Sequence, residues 1–354
     1  MWRMARASEN TRTSQYVLKV VCEGEKTEPL FFTSLFEQYF SDKGIIASTV
    51  PQPKIPEDND DVSRERGGYR GKKRTTASSP IDDDPVIKGQ PPLKWVRYAR
   101  YLLQEEGVNE AWAAFDKDEH PACEQAFQEA NELVDGKRVN IAFSSRSFEY
   151  YLLLHFEYLY HAFQETECNS KTKVCGTDSD DATNCHGETC INGYARSKGY
   201  WSETKTSEST YPLVKDNLLK GIANAIRLRA ESDSKEQTPV YMRNPYTNAD
   251  RLVGRVIGVE PIDKGEDYHY SSGGDDFTVS FLDGVLNIRN NGGRTLLLTP
   301  RMVVVYNTDT HEESFPLDKN SVVPQGETFS IEIAVPENCV LLIRTTYKSA
   351  IIAC

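Results

Sequence analysis

The sequence predicts an α/β fold followed by an all-β segment. Between residues 15 and 163, short apolar, β-branched runs alternate with stretches of helical spacing. Strand, helix, strand, helix in alternation builds a largely parallel sheet. From about residue 254 the text changes to closely spaced short strands separated by turns. Two polar stretches, 51–92 and 166–209, have almost no apolar periodicity and read as insertions. The expected division is therefore 1–253 for an α/β unit carrying both insertions, and 254–354 for a β unit.

Each element has its own signal. QYVLKVVC (15–22) reads as a buried strand, and the polar turn Glu23 to Pro29 follows it. Thr27 can cap a helix and Pro29 suits a first turn, so a helix is expected to about Phe40. IIASTV (45–50) reads as a second strand. Residues 51–92 are expected to be disordered. Helical spacing returns over 93–106. EAWAAF (110–115) reads as a strand ending at Asp116-Lys117-Asp118. A helix over 123–134, a strand over 138–143 and a long helix from Ser147 to about Phe163 complete the alternation. Residues 212–230 form an expected amphipathic helix, with Leu213, Leu218, Ile222 and Ile226 on one face. Beyond it, FTVSFLDG, VLNIRN, RMVVVYN, TFSIEIAV and CVLLIRTTY read as short strands. Phe277, Val279 and Phe281 share one side, as do Phe329, Ile331 and Ile333. With turns at 290–293 and 324–326, this spacing predicts an antiparallel, immunoglobulin-like sandwich.

Composition narrows the function. The chain has 354 residues, of which 38% are hydrophobic, and a net charge of -12. A bulk polyanion-binding surface is not expected, and nucleic acid would be held by local basic patches or through metal ions. No apolar run reaches the roughly 18 residues needed to span a bilayer. The basic N-terminus lacks the apolar stretch of a signal peptide. A cytoplasmic protein without membrane contact is the expectation. Eight cysteines in a chain this long do not make a disulfide scaffold. Cys168, Cys175, Cys185 and Cys190 cluster in one segment, as candidates for structural zinc or as unpaired loop thiols. Their spacing is wider than zinc usually takes.

The carboxylates carry the chemistry. Glu23 follows a buried strand and precedes a glycine, and ligands of an open α/β sheet collect outside the carboxyl ends of its strands. Asp116 and Asp118 end another strand and, two residues apart, point the same way. If the strands are neighbours, the three carboxylates converge, and they would repel one another without a cation. Hard oxygen ligands suit Mg²⁺ or Mn²⁺, which polarises a phosphodiester and generates hydroxide. On spacing alone the competing reading is that Asp116 and Asp118 cap the next helix and face water. Glu149, in the first turn of its helix, faces either the same cleft or solvent. His155 shares a face with Phe148, Leu152 and Leu159 and reads as a core histidine. Candidate phosphate contacts are Lys26 and Arg146. The basic stretch RERGGYRGKKR (64–74), with Arg70, Lys72 and Lys73, is a candidate nucleic-acid arm or a solvated linker.

A resemblance sharpens this reading. VVCEGEKTEPLFF resembles the first Toprim motif, and AAFDKDEH resembles the Asp-x-Asp motif of the same fold. SSRSFEYYLLLHFE and NPYTNADRLV (244–253) resemble signatures of the RloB-like abortive-infection family. The resemblance covers roughly 15–253, without the insertion at 51–92 and the Cys-rich stretch, and it implies a Toprim-like parallel-sheet core. It implies that Glu23, Asp116 and Asp118 hold Mg or Mn, with Glu119 a weaker candidate and Glu149 in the cleft. It implies an endonuclease cleaving RNA, transfer RNA included, or DNA in anti-phage defence. An ATPase partner is implied as well, and a homo-oligomer is left open. The alternative is a non-catalytic Toprim scaffold acting with such an ATPase. The family signature usually begins Ser-Asn-Pro, whereas this chain has Ser145-Arg146-Ser147, so the backbone leading into Glu149 is expected to differ.

Overall fold

The computed structural model describes residues 15–51, 90–105, 107–117, 120–167, 189–201 and 210–353. Most of the insertion expected at 51–92 lies outside them, with Arg70, Lys72 and Lys73.

The first half alternates as its sequence pattern requires. In chain order it has β1 (Tyr16–Cys22), α1 (Thr27–Phe40), β2 (Ile45–Val50), α2 (Leu93–Glu105), β3 (Glu110–Asp116), α3 (Cys123–Asn131), β4 (Asn140–Ser145) and α4 (Phe148–Leu153). Then come α5 (Ile191–Ser197), α6 (Tyr211–Val214), α7 (Leu218–Lys235), β5 (Tyr246–Thr247) and α8 (Ala249–Ile257). These strands form one sheet in the order β2-β1-β3-β4-β5. Its first four strands are parallel, and β5 closes the edge antiparallel to β4.

Both faces of the sheet are covered, which is why its strands read as nearly continuous apolar runs. On β3, Trp112 and Ala114 face a core built with Phe31, Phe32, Leu35, Ile222 and Leu252 from α1, α7 and α8. Ala111, Ala113 and Phe115 face the other way, against Trp95, Val96, Ala99 and Ala126 from α2 and α3.

The second half is antiparallel and β-rich. It contains β6 (Val259–Ile262), β7 (Tyr268–Ser272), β8 (Asp275–Leu282), β9 (Val285–Asn290), β10 (Leu296–Leu298) and β11 (Val303–Asn307). It continues with β12 (Glu313–Ser314), β13 (Ser321–Val323), β14 (Thr328–Glu332), β15 (Cys339–Arg344) and β16 (Ser349–Ala353). A five-stranded sheet, β12-β11-β15-β16-β6, lies across from a four-stranded one, β14-β9-β8-β7, and β10 pairs with β13. Phe277, Val279, Leu286, Ile288, Leu341 and Ile343 fill the space between the two larger sheets. The one parallel pair is β16 with β6. The alternate residues Val304, Val340, Leu342, Ile351 and Ala353 turn outward and join the α1–α7–α8 core. α7 is thus shared: one side packs on the α/β sheet and another on the five-stranded β sheet.

Four expectations are corrected. The helix from Ser147 ends at Leu153: residues 157–163 form neither helix nor strand, and Tyr150 Oη donates to the Leu159 carbonyl at 2.6 Å. The stretch 166–209 contains α5, whose Ile191 and Ala195 are buried. The helix expected over 212–230 is α6, a 3₁₀ turn and α7; Leu218, Ile222 and Ile226 are buried while Leu213 is exposed. No side chain caps α1, whose first residue is Thr27 itself. The position 253/254, taken as a unit boundary from the sequence, falls within α8, which continues to a left-handed Gly258. Among the described residues no helix is long and apolar enough to cross a membrane.

Candidate active site

The parallel order makes β1, β3 and β4 neighbours, so their carboxyl ends lie side by side. Cys22 is in register with Ala114, and Asp116 with Ser144. Glu23 extends the pairing by one residue, its N–H donating to the Ala114 carbonyl at 2.9 Å. Its carboxylate then reaches across the strand ends. Oε2 accepts the Asp116 N–H at 2.9 Å, and Oε1 lies 2.7 Å from His120 Nε2. His120 is held in turn by the edge of Trp95 on α2, with ring centroids 5.6 Å apart. The structure therefore brings Glu23 and Asp116 together. Asp118 and Glu119 lie outside the described residues.

His120 was not foreseen. Its only sequence signal is a histidine four residues beyond a strand-ending aspartate. Glu28 was not foreseen either. It is buried in the first turn of α1, and a Cβ placed on Gly24 would sit 2.6 Å from Glu28 Oε2. Gly24 thus lets a second carboxylate close onto the turn after Glu23. Burial, helped by Glu28, pushes the neighbouring Cys22 thiol well above its ordinary pKa.

The β4 end contributes the next side chains. Lys117 N–H donates to the Ser144 carbonyl at 2.9 Å, joining the two strand ends. Its ammonium donates to the Met242 carbonyl at 2.5 Å, and burial holds its pKa below the usual lysine value. The peptide between Ser145 and Arg146 is cis. Ser147 Oγ donates to Glu149 Oε2 at 2.6 Å, and Glu149 is buried rather than solvated. Lys26 is exposed at the head of α1. His155 is fully buried, as expected of a core histidine.

The 244–253 segment locks β4 in place. Asn248 Oδ1 accepts the Phe143 N–H at 2.6 Å, and Thr247 Oγ1 lies 2.8 Å from Ser144 Oγ. Asp250, fully buried, receives Arg229 Nη1 and Nη2 at 2.5 and 2.9 Å. Burial alone would lower the Arg229 pKa, but Asp250 and Asp263 raise it above its ordinary value, so it stays charged.

Of the cysteine cluster, Cys190 is buried just before α5 and is not disulfide-bonded, and Cys168, Cys175 and Cys185 lie outside the described residues. Among the described residues no group of three or more His, Cys, Asp or Glu side chains is arranged to hold a metal ion.

A family model described as RloB-like protein matches residues 18–256. The chain belongs to the RloB-like family. No curated protein and no solved structure matches it. The RloB-like match begins inside β1 and ends in the last turn of α8, so it spans every strand of the α/β sheet. The two RloB-like signatures, SSRSFE and NPYTNAD, meet where β4 pairs with β5, through Ser144 with Thr247 and Ser145 with Tyr246.

Proposed function

We propose that this RloB-like chain is a metal-dependent endonuclease with a Toprim-like sheet. Its substrates would be RNA, transfer RNA included, or DNA, in anti-phage abortive infection beside an ATPase partner. The observation that carries the reading is the Glu23 carboxylate lying across the end of β3, bonded to the Asp116 amide and to His120. Glu23, Asp116 and Asp118 are the residues that would hold Mg²⁺ or Mn²⁺. A carboxylate oxygen has two lone pairs, so the two bonds on Glu23 leave acceptor capacity for a cation. When bound, such an ion polarises a phosphodiester and lowers the pKa of attacking water.

The chain's own residues prepare the site. His120 and the Asp116 amide fix the direction of Glu23, and Lys117 ties the β3 end to the 240–243 turn. Arg146, directly after β4, is the side chain we assign to a substrate phosphate, a role suited to its planar fork of donors. The C-terminal β unit, read as an immunoglobulin-like sandwich, supplies partner or substrate docking and no chemistry.

The test is cleavage of labelled transfer RNA and of single- and double-stranded DNA by the purified chain in Mg²⁺, Mn²⁺ or EDTA. Cleavage should require the divalent ion and fall at least about 100-fold in Glu23→Ala and Asp116→Ala, since each removes a carboxylate that would hold the ion stabilising the reacting phosphate. Undiminished cleavage in EDTA, or wild-type rates in both variants, would overturn the reading. So would growth inhibition on expression that Asp116→Ala leaves intact, the behaviour of a non-catalytic scaffold.

A further inference from the structure

A cavity of about 690 Å³ opens between the α/β sheet and the β unit. Its volume falls in the range of small-molecule sites. It is lined by Glu110 and Trp112, at the start of β3, whereas Glu23 and Asp116 meet at that strand's far end. Six residues of strand separate the two places by about 20 Å.

Three observations define what the cavity would hold. Tyr268 is 1% exposed and is one of the lining residues, and its buried hydroxyl has no hydrogen-bond partner among the described residues. A buried donor left unmade costs free energy, which a ligand acceptor would recover. The charged lining residues are three cations, Arg251, Arg255 and Lys348, against two carboxylates, Glu110 and Glu260, in a chain whose net charge is -12. Each cation is already ordered by an acid: Arg255 by Glu110 at 2.8 Å, Arg251 by Asp263 at 2.6 Å, and Lys348 by Glu260. Guanidinium groups carry five donors each, so one paired face leaves others for a second anion. Finally, Tyr347 lines the mouth with its side chain 69% exposed, its ring edge 3.0 Å from where a Cβ on Gly273 would lie. An exposed ring touching a glycine only by its edge offers a face to a planar ligand.

We propose that this cavity binds a mononucleotide. The base stacks on Tyr347, an acceptor on the ligand takes the Tyr268 hydroxyl, and the phosphate lies among Arg251, Arg255 and Lys348. Because the lining comes from β3 and α8 on one side and from β6, β7 and the β15–β16 turn on the other, the ligand bridges the two halves of the chain. The inference is independent of the nuclease reading, since neither Glu23 nor Asp116 lines this cavity.

The test is isothermal titration calorimetry on the full chain in EDTA. The probes are AMP, GMP, CMP and UMP, with adenosine and inorganic phosphate as the halves of the ligand. At least one monophosphate should bind more tightly than either half. Tyr347→Ala should weaken it by roughly tenfold, the loss of one stacked base. Tyr268→Phe should weaken it by about two- to tenfold, the loss of one neutral hydrogen bond. The phenylalanine variant should melt no lower than wild type, because it removes an unsatisfied hydroxyl. Glu23→Ala should bind unchanged, which separates this cavity from the candidate active site. Absence of binding by all four monophosphates, phosphate binding as tightly as they do, or wild-type affinity in both tyrosine variants would overturn the proposal.

Discussion

His155 should make the stability of this protein depend on pH in a way that one substitution removes. Its ring is fully buried, and Nδ1, 3.0 Å from the Tyr151 carbonyl, must carry the proton because a carbonyl only accepts. Nε2 has no partner among the described residues and faces Gly221, where a Cβ would come within 2.5 Å. Protonating Nε2 would place a charge in apolar surroundings with nothing to receive it. Burial accordingly lowers the His155 pKa from 6.5 to about 4, against a smaller pull upward from the backbone carbonyl. The unfolded chain therefore binds more protons than the folded one between pH 6.5 and 4, and stability falls as pH falls through that window. For a single group with these two pKa values the loss is roughly 2 kcal/mol at pH 5 relative to pH 7.5, rising to about 3 kcal/mol below pH 4. Urea unfolding of wild type and His155→Leu at pH 7.5, 6 and 5 isolates the contribution, because other titrating groups cancel in the difference. The gap between the two proteins should shift by roughly 2 kcal/mol in favour of the variant as pH drops to 5. Parallel pH profiles, or an NMR titration of the folded imidazole with a pKa near 6.5, would refute the reasoning.

Other outcomes follow from the same geometry. Asp250→Ala strands the buried Arg229 charge on Asp263 alone and should cost about 3 to 5 kcal/mol in urea unfolding. Replacing both partners, Arg229→Met with Asp250→Leu, should cost less, and a single-variant loss under about 1 kcal/mol would contradict the buried-pair reading. Gly221→Ala should lose about 1 to 3 kcal/mol of stability by overpacking against His155, and the penalty should shrink in a His155→Ala background; additivity would deny the contact. Glu149→Gln keeps an acceptor for Ser147 and should unfold within about 1 kcal/mol of wild type, with cleavage impaired; unchanged turnover removes Glu149 from the reacting cleft. A chain ending at Lys235 lacks β5 and α8 and should not fold. One ending at Ile257 should fold but bind hydrophobic dyes and self-associate through the uncovered face of α7, and a monodisperse, dye-silent product would count against the shared core.

The parallel strands were legible because burial on both faces leaves them as unbroken apolar runs that end abruptly in charge. Glu23 and Asp116 stood out for that reason. What the sequence did not show was contact across distance. His120 gains meaning only once β1 and β3 are neighbours, and Glu28 only once Gly24 is seen to admit its carboxylate. β5 is two residues long and has no periodicity to detect. The end of α4 was hidden for the opposite reason. LLLHFEYLYHAF is largely apolar, so helical spacing continues past the point where the helix stops and Tyr150 bonds the Leu159 carbonyl. In the second half, alternation exposed β8, β9 and β14, while short strands such as β10, β12 and β13 owe their form to pairing rather than pattern.

The last strand of the α/β sheet has a consequence for synthesis. Thr247 pairs with Ser144 across 103 residues, and Asn248 supplies the bond to the Phe143 amide. At about 5 to 20 residues per second, β4 would wait roughly 5 to 20 s on the ribosome before β5 arrives. During that interval the β4 edge is open to other chains, the Arg229 guanidinium has no Asp250, and the strand end bearing Arg146 is unbraced. Completion of the β4 side of the candidate site is deferred until residue 257 has emerged. Such long-range closure also predicts slow refolding, with the β4–β5 pairing among the last contacts to form.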